Sequence, residues 1–307
     1  MTPLSSSSVK AEAIRLGFIA CGVTTLDPTP HIDALERWLR QGYGGNMRYI
    51  HRQAKKRKNP QLADLKARRA VVVLDNYYYE TGPIAGPKVA RYARGEDYHG
   101  VTLARLEQLA DFLRLNGALA ARPYADTGPI PERELAQRAG LGWIGKNTML
   151  LRPGVGSWFF IGTVLTDLEL EIDAPFDTDH CGSCTRCLDA CPTEAFVEPR
   201  VLDATRCISY LTIEQKGPIA AEFTERLGGW AFGCDLCNEA CPWNQRFAEN
   251  SGILEFRPRD DIPGADRALF DEMDAEEFDR RFGDTALART GLERMRRNWK
   301  AAWDSLG

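Results

Sequence analysis

At 307 residues and 34.3 kDa, with 44% hydrophobic side chains, the chain is long enough for two domains with a sizeable core. A net charge of −4 argues against a general polyanion binder, and the longest apolar run, 158–165, is far short of the ~20 residues a membrane span needs. The opening Met-Thr-Pro-Leu and its four serines lack the basic and apolar regions of an export signal, so a soluble cytoplasmic protein is expected.

In chain order, 9–16 reads as a helix running into 18–23, an apolar stretch short enough for a buried strand, with Cys21 as an inert core thiol. Residues 30–41 repeat Ile32, Leu35, Trp38 and Leu39 at helical spacing and stop at Gly42 and the Gly44-Gly45 pair. A basic loop is expected next, since 46–60 holds Arg48, Arg52, Lys55, Lys56, Arg57 and Lys58 with no acid. The β-branched run 70–74 is of central-strand type, and the Gly/Pro-rich 81–87 reads as a surface excursion. Leu103, Leu106, Leu109, Ala110 and Leu113 predict a helix up to Gly117 with Asp97 as its N-cap. Pattern alone favours that capping role, and core or surface positions for Tyr98 and His99.

A strand over 118–124, the turn 126–129 and a helix from Pro131 to Gly140 follow. The stretch 140–147, glycine-rich yet aromatic, suits either a backbone approaching a large flat ligand or an ordinary turn. Strand character resumes at 149–151 and 157–166. The acidic 169–179 marks a boundary, which divides the chain into an α/β domain (1–172), a cysteine-rich domain (173–250) and a helical C-terminal segment (251–307). A second basic cluster in that segment, Arg289, Arg294, Arg296, Arg297 and Lys300, could line an RNA path with the first, or form a solvated face.

The cysteine pattern carries the chemistry. Cys181, Cys184, Cys187 and Cys191-Pro192 have the C-x2-C-x2-C-x3-C-P spacing of bacterial ferredoxins, and Cys234, Cys237 and Cys241-Pro242 repeat it with Cys207 ahead. In such two-cluster proteins the cysteine before proline ligates the other cluster. One [4Fe–4S] cluster is therefore assigned to Cys181, Cys184, Cys187 and Cys241, and the second to Cys207, Cys234, Cys237 and Cys191. Zinc sites usually separate two C-x2-C pairs, and a disulfide framework needs an oxidising compartment, so both alternatives are disfavoured. No G-x-G-x-x-G follows a strand, which argues against a dinucleotide site.

Arg57 in Arg-Lys-Asn-Pro60, Gly95-x-Asp97-Tyr98-His99, Asp126-Thr-Gly-Pro-Ile-Pro-Glu132-Arg133, Ala139-Gly-Leu-Gly-Trp-Ile-Gly-Lys146-Asn147, Arg206-Cys-Ile-Ser209-Tyr-Leu-Thr212 and Gly233-Cys-Asp235 join the cysteine runs in a resemblance to the epoxyqueuosine reductase family. It covers nearly the whole chain. The resemblance implies an α/β cobalamin-binding domain, reductive-dehalogenase-like, fused to a ferredoxin-like two-[4Fe–4S] domain with a short helical C-terminal tail. It implies cobalamin and two clusters as cofactors, and removal of the epoxide oxygen of epoxyqueuosine at the wobble position of a tRNA anticodon loop. A reductant such as a flavodoxin or ferredoxin and a monomeric state are expected.

By the same resemblance Asp126 is the general acid, and such a carboxyl needs a pKa raised by a desolvated pocket. The residue-level alternative is that Asp126 merely initiates its turn. The resemblance places Arg57, Ala90, Tyr98, Asp126, Leu150, Ile161, Ser209 and Asp235 against the corrin, with Ala90 facing the cavity. No Asp-x-His-x-x-Gly run is present, so cobalt is expected to lack a protein histidine. Helical repeats that some members carry at the C-terminus are expected to be absent. A reductive dehalogenase and a non-catalytic electron-transfer module are the competing readings.

Overall fold

The computed structural model describes residues 4–262 and 266–307. Helix α1 (Ser6–Arg15) leads into strand β1 (Ala20–Thr25), and α2 (Ile32–Arg40) and α3 (Arg48–Lys58) precede β2 (Arg69–Asn76). There follow β3 (Lys88–Val89), α4 (Tyr98–Leu115), β4 (Ala121–Ala125), α5 (Glu132–Arg138), the hairpin of β5 (Trp143–Ile144) and β6 (Leu150–Leu151), and β7 (Phe159–Thr166). Four of these strands form an antiparallel sheet in the order β1-β2-β7-β4. Alternation along β2 explains its central place. Val71 and Val73 pack with Val9, Leu106 and Leu109 of α1 and α4, whereas Val72 and Leu74 pack with Leu135 and Ala136 of α5 on the other face.

The cysteine-rich part is built of short pieces: α6 (Arg186–Asp189), β8 (Phe196–Glu198), β9 (Val201–Leu202), α7 (Ile208–Ile213), α8 (Ala221–Thr224), β10 (Trp230–Phe232), α9 (Leu236–Glu239) and α10 (Pro242–Phe247). Helices α11 (Ala275–Phe282) and α12 (Leu292–Asp304) close the chain. Among the described residues no helix is long and apolar enough to cross a membrane.

The sequence boundaries at 172 and 250 do not separate the packing. After the 81–87 excursion, β3 pairs in parallel with β10, stitching the two halves together. Phe270, Phe278, Phe282, Met295 and Trp299 of the C-terminal segment share one core with Val89, Ala231 and Phe232 of that strand pair.

Two expectations about the basic clusters change. The first is helix α3 rather than a loop, because 48–58 contains neither Gly nor Pro and Arg, Lys, Gln and Ala are good helix formers. The helix exposes Arg48, His51, Arg52, Lys55 and Lys56 and turns Tyr49, Gln53 and Arg57 inward. In the second cluster most guanidinium groups hold backbone carbonyls. Arg294 donates to Ile213, Arg296 to Phe270 and Met273, and Arg297 to Leu211, Gln215 and Gly217.

The glycines of 140–147 serve close contact within the protein rather than a flat ligand. A Cβ on Gly142 would stand 2.0 Å from the Leu151 carbonyl oxygen across the β5–β6 hairpin, and one on Gly145 would stand 2.3 Å from the Leu151 side chain and 3.6 Å from Cys181 Sγ.

Candidate functional site

Strand β4 ends at Ala125, and the chain reverses at once: Thr127 N–H donates to the Ala125 carbonyl at 2.6 Å with Asp126 between them at φ +59°. This is a three-residue γ-turn of the positive-φ kind, a strained conformation for a residue with a Cβ. Among the described residues its carboxylate accepts nothing from its own turn. Instead Oδ2 accepts the Tyr98 hydroxyl at 2.8 Å and lies 3.3 Å from His99 Nε2. Asp97 is the N-cap of α4, as its position suggests, and its Oδ1 also stands 2.7 Å from His99 Nδ1. One cap thus starts the helix and orients the imidazole. Tyr98 is clamped between Phe160, at 4.2 Å and 8° between planes, and the His99 ring at 4.0 Å.

The electrostatics contradict a raised pKa for Asp126. Burial pushes this carboxyl up, but hydrogen bonds from His99 and Tyr98, then the charges of His99 and Arg289, outweigh it and hold the group below the usual carboxylate range. Burial pulls His99 down, yet its hydrogen bonds to Asp126 and Asp97 carry it up to about 9. Burial and the Asp126 charge push the Tyr98 hydroxyl far up, so it stays a donor. At neutral pH the pair is therefore a carboxylate beside an imidazolium, and the proton rests on His99. Sequence pattern favours a core or surface position for His99, although its place in Asp97-Tyr98-His99 was the available signal.

Asp97, Tyr98 and His99 line a cavity of about 360 Å3 together with Tyr92, Thr127, Phe232 and Arg289, and Asp126 sits beside it through its bonds to Tyr98 and His99. The Asp126 side chain is 60% exposed. Arg289 comes from the C-terminal segment and is ion-paired with Glu214 at 2.6 Å. Behind the turn, Arg57 of α3 donates to the Ile130 and Gly128 carbonyls at 3.1 and 3.4 Å, while its Nε is buried without a partner among the described residues. Burial raises the Tyr49 hydroxyl, which also feels the charges of Glu214, Arg289 and Asp126, so the inner face of α3 looks towards this cavity. A second cleft, of about 350 Å3, lies between Tyr78, Arg91, Trp158 and Glu239, where Arg91 is already held by both rings and by Glu239.

Burial first, then the charges of Cys181, Cys241 and Cys184, push Cys187 up to about 11. Burial, then the charges of Cys207, Asp235, Cys187 and Cys191, raise Cys237, and Cys207 itself feels Cys191. Cys241 feels the charges of Cys181 and Cys184, and Cys207 that of Cys191, the direction the crossed assignment expects. Among the described residues no three His, Cys, Asp or Glu side chains converge on a single metal-ion position. N–H groups already aim at the sulfurs: Trp143 Nε1 at Cys181 and Ala195 N at Cys191, both at 3.4 Å. Lys146 braces the first loop through the Gly182 and Cys184 carbonyls, at 2.7 and 2.9 Å.

Comparison with known proteins gives this arrangement a family. A family model described as "4Fe-4S double cluster binding domain" matches residues 180–244, and one described as "Epoxyqueuosine reductase QueG, DUF1730" matches 57–127. The epoxyqueuosine reductase of Cellulophaga algicola is 40% identical over 95% of this chain and 96% of its own length, and that of Pseudomonas aeruginosa 41% identical over 95% and 83%. This chain belongs to the epoxyqueuosine reductase family.

Solved structures agree. A crystal structure of an epoxyqueuosine reductase with an epoxyqueuosine-modified tRNA stem loop superposes with a TM-score of 0.90 at 31% identity, covering 98% of this chain and 81% of that one. A Bacillus subtilis epoxyqueuosine reductase, described with its catalytic aspartate loop swung out of the active site, superposes at 0.88 with 31% identity and the same coverage. The chain is thus an oxidoreductase with an α/β domain joined to a double-cluster module.

Within this family frame the residues expected around a corrin fall into three places. Arg57, Tyr98 and Asp126 meet at the γ-turn. Leu150, 2% exposed, and the half-buried Ile161 share a core on the α5 face of the sheet. Ser209, Ala90 and Asp235 gather near the second cysteine run, where Asp235 Oδ2 accepts the Arg91 N–H at 2.7 Å and the Ser209 N–H points at Cys207. Ala90 does not face the cavity. It is fully buried among Ile208, Leu227 and Trp230, because β3 and β10 pair directly across it. Besides His99, sequence reasoning missed Glu132, whose Oε1 accepts the Asp126 N–H at 2.9 Å, and Arg289, which reaches the site from the far end of the chain.

Proposed function

We propose that this chain reduces the epoxide of epoxyqueuosine in a tRNA anticodon loop in the cytoplasm, with Asp126 and His99 managing the protons. Converting the epoxide to an alkene takes up two electrons and two protons, and the ring oxygen leaves as water. The observation that carries the reading is the Asp97–His99–Asp126–Tyr98 chain at the lip of a cavity, in a member of this family.

Cobalamin fits what lines the site. The rings of Tyr92, Tyr98 and Phe232 offer the apolar surface a corrin face would pack on, and both His99 nitrogens are already engaged with carboxylates. Arg57, Tyr98, Asp126, Leu150, Ile161, Ser209 and Asp235 are the residues proposed to hold it, the deeply buried Leu150 and Asp235 through their backbone. When bound, it supplies a low-potential centre that passes electrons from the two clusters to the epoxide carbon.

His99, which holds the proton at rest, passes it across 3.3 Å to Asp126, and Asp126 delivers it to the leaving oxygen. Tyr98 keeps the carboxylate aimed at the cavity. Arg289 adds a positive charge where negative charge develops. The base must be splayed from its loop to enter, as readers of single-stranded RNA require. The exposed face of α3, with Arg48, Arg52, Lys55 and Lys56, is proposed to follow the phosphates. A flavodoxin or ferredoxin is the proposed class of reductant, and the enzyme is proposed to act as a monomer.

Asp126→Asn tests the reading, because asparagine preserves shape but supplies no proton. Single-turnover reduction by prereduced enzyme is expected to fall ~10²–10⁴-fold, with cluster content, cobalamin occupancy and tRNA affinity retained. Near-normal turnover would remove Asp126 from the proton path.

A further inference from the structure

The Asp126 turn contains a strain and an anchor that the proton path does not explain. A non-glycine residue at φ +59° in the middle of a γ-turn persists only where its surroundings over-determine it. The preceding strand β4 is fixed by its ladder with β7. The following helix α5 is fixed by Leu135, Ala136 and Ala139 in the core and by Arg133, which donates to the Thr148 carbonyl at 2.6 Å. Between these two anchors, among the described residues, the Asp126 carboxylate binds only Tyr98 and His99, groups that must also face the substrate. Its backbone N–H is, among the described residues, the hydrogen bond of Asp126 to a side chain outside the reacting groups, and it goes to Glu132 Oε1 at 2.9 Å, while Arg57 braces the turn further on at Gly128 and Ile130.

We propose that Glu132 is the positioning residue for Asp126: by accepting the Asp126 N–H it locks the strained turn and keeps the carboxylate within reach of Tyr98, His99 and the cavity. This rests on the reading of Asp126 as proton donor. Glu132 acts through the turn and does not itself touch the leaving oxygen. Burial first, then the Asp126 charge, push its carboxyl up to about 8, so near neutral pH it is mainly the uncharged acid. Such a group accepts through its carbonyl oxygen and places no second negative charge beside Asp126. A glutamine is then its close equivalent, whereas a methionine has the same length and no comparable acceptor.

The test uses holoenzyme carrying both clusters and cobalamin, in four variants: Glu132→Gln, Glu132→Met, Asp126→Asn, and Glu132→Met combined with Asp126→Asn. Glu132→Ala replaces the methionine variant if that protein fails to load its cofactors. Two readouts are taken: single-turnover epoxide reduction, and deuterium uptake over the peptide spanning 121–131. Glu132→Met is expected to slow reduction ~10–100-fold, the order reached when a reacting group is displaced by about 1 Å, and to speed exchange at the turn. Affinity for tRNA should stay within about twofold, since Glu132 lies behind the turn. Glu132→Gln should restore both readouts to near wild type. In the Asp126→Asn background Glu132→Met should cost no further activity, as two residues acting as one unit are non-additive.

A glutamine variant as slow as the methionine variant, with native exchange, would overturn the proposal by making Glu132 a proton donor in its own right. Unchanged exchange in Glu132→Met would overturn it by showing that the turn stands without this bond. If Asp126→Asn reduces the epoxide at the wild-type rate, the donor reading fails instead, and the exchange measurement still decides whether Glu132 holds the turn.

Discussion

The cysteine module and the Asp126 pocket are both redox machinery, yet they are held in shape by opposite means. In the module most thiols lie within a few residues of the next, on one-turn helices such as α6 and α9, and nearby backbone N–H groups turn towards their sulfurs. The pocket draws Arg57 from α3, Tyr98 and His99 from α4, Asp126 from the end of β4, Glu132 from α5, Phe232 from β10 and Arg289 from beyond α11. A local framework confines damage to its own loop, whereas a site assembled at range transmits it through every element that meets there.

The largest effect should come from removing a ligand that crosses between the runs. Cys241→Ala is expected to abolish the cluster held with Cys181, Cys184 and Cys187 and to stop multiple turnover, while the cluster of Cys207, Cys234, Cys237 and Cys191 survives. Iron and sulfide analysis with electron paramagnetic resonance on reduced protein would check this. Loss confined to the other cluster would break the crossed assignment and remove the one long-range feature of the module.

That contrast also explains what could be read in advance. Ligand spacing is a local property, so the clusters were legible from the Cys-Pro runs alone, and the central place of β2 followed from its β-branched run. Helix α3 was missed because its charges carry no apolar period, although its composition favours a helix. The β3–β10 pairing and the arrival of Arg289 depend on contacts between residues more than a hundred positions apart, which no local pattern encodes. The Asp126 motif was legible as residues but not as electrostatics. Its pKa direction is set by His99, whose own charge depends on two carboxylates from different elements.

A pH profile sharpens this point. His99 is raised from its ordinary 6.5 to about 9, so its pairing stabilises the fold fully below about 6.5 and loses that contribution as pH rises through about 9. Asp126 is lowered, so its share is lost only in acid, as pH falls through its depressed value. Single-turnover reduction is therefore expected to show an alkaline limb centred near pH 9. His99→Gln should remove that limb and slow the reaction ~10–100-fold at neutral pH, less than loss of Asp126, because solvent can reload the carboxyl. A limb that persists in the variant would place the proton elsewhere.

The two basic clusters offer a smaller contrast inside the far-assembled half. On the exposed face of α3, changing Arg52 and Lys55 to Gln should weaken tRNA binding and lower its salt slope by ~0.7–0.9 per lost phosphate contact, with stability unchanged. Arg297→Gln should act the other way, costing about 1–3 kcal/mol of stability through the orphaned Leu211 and Gln215 carbonyls and leaving the slope alone. Denaturant unfolding and binding at several salt concentrations separate the cases. A changed slope in Arg297→Gln would return the C-terminal arginines to the RNA path.

The smallest effect concerns a place where the α/β half donates a hydrogen bond to a ligand sulfur of the cysteine module. Trp143 belongs to β5, is 1% exposed, and donates Nε1–H to Cys181 Sγ at 3.4 Å while its ring packs against Phe176 and, edge-on at 5.0 Å, Trp243. A donor at a thiolate stabilises the more negative, reduced cluster and so raises its potential. Trp143→Phe keeps an aromatic ring and removes the donor. If that bond is worth about 1 kcal/mol, the one-electron potential of the Cys181 cluster should fall by roughly 40 mV. The other cluster has no contact with Trp143 among those described and should hold its value, in a redox titration followed by electron paramagnetic resonance. Equal shifts in both clusters would mean that the substitution works by loosening the module, and an unmoved first cluster would mean that its potential is set entirely by backbone N–H groups within its own run.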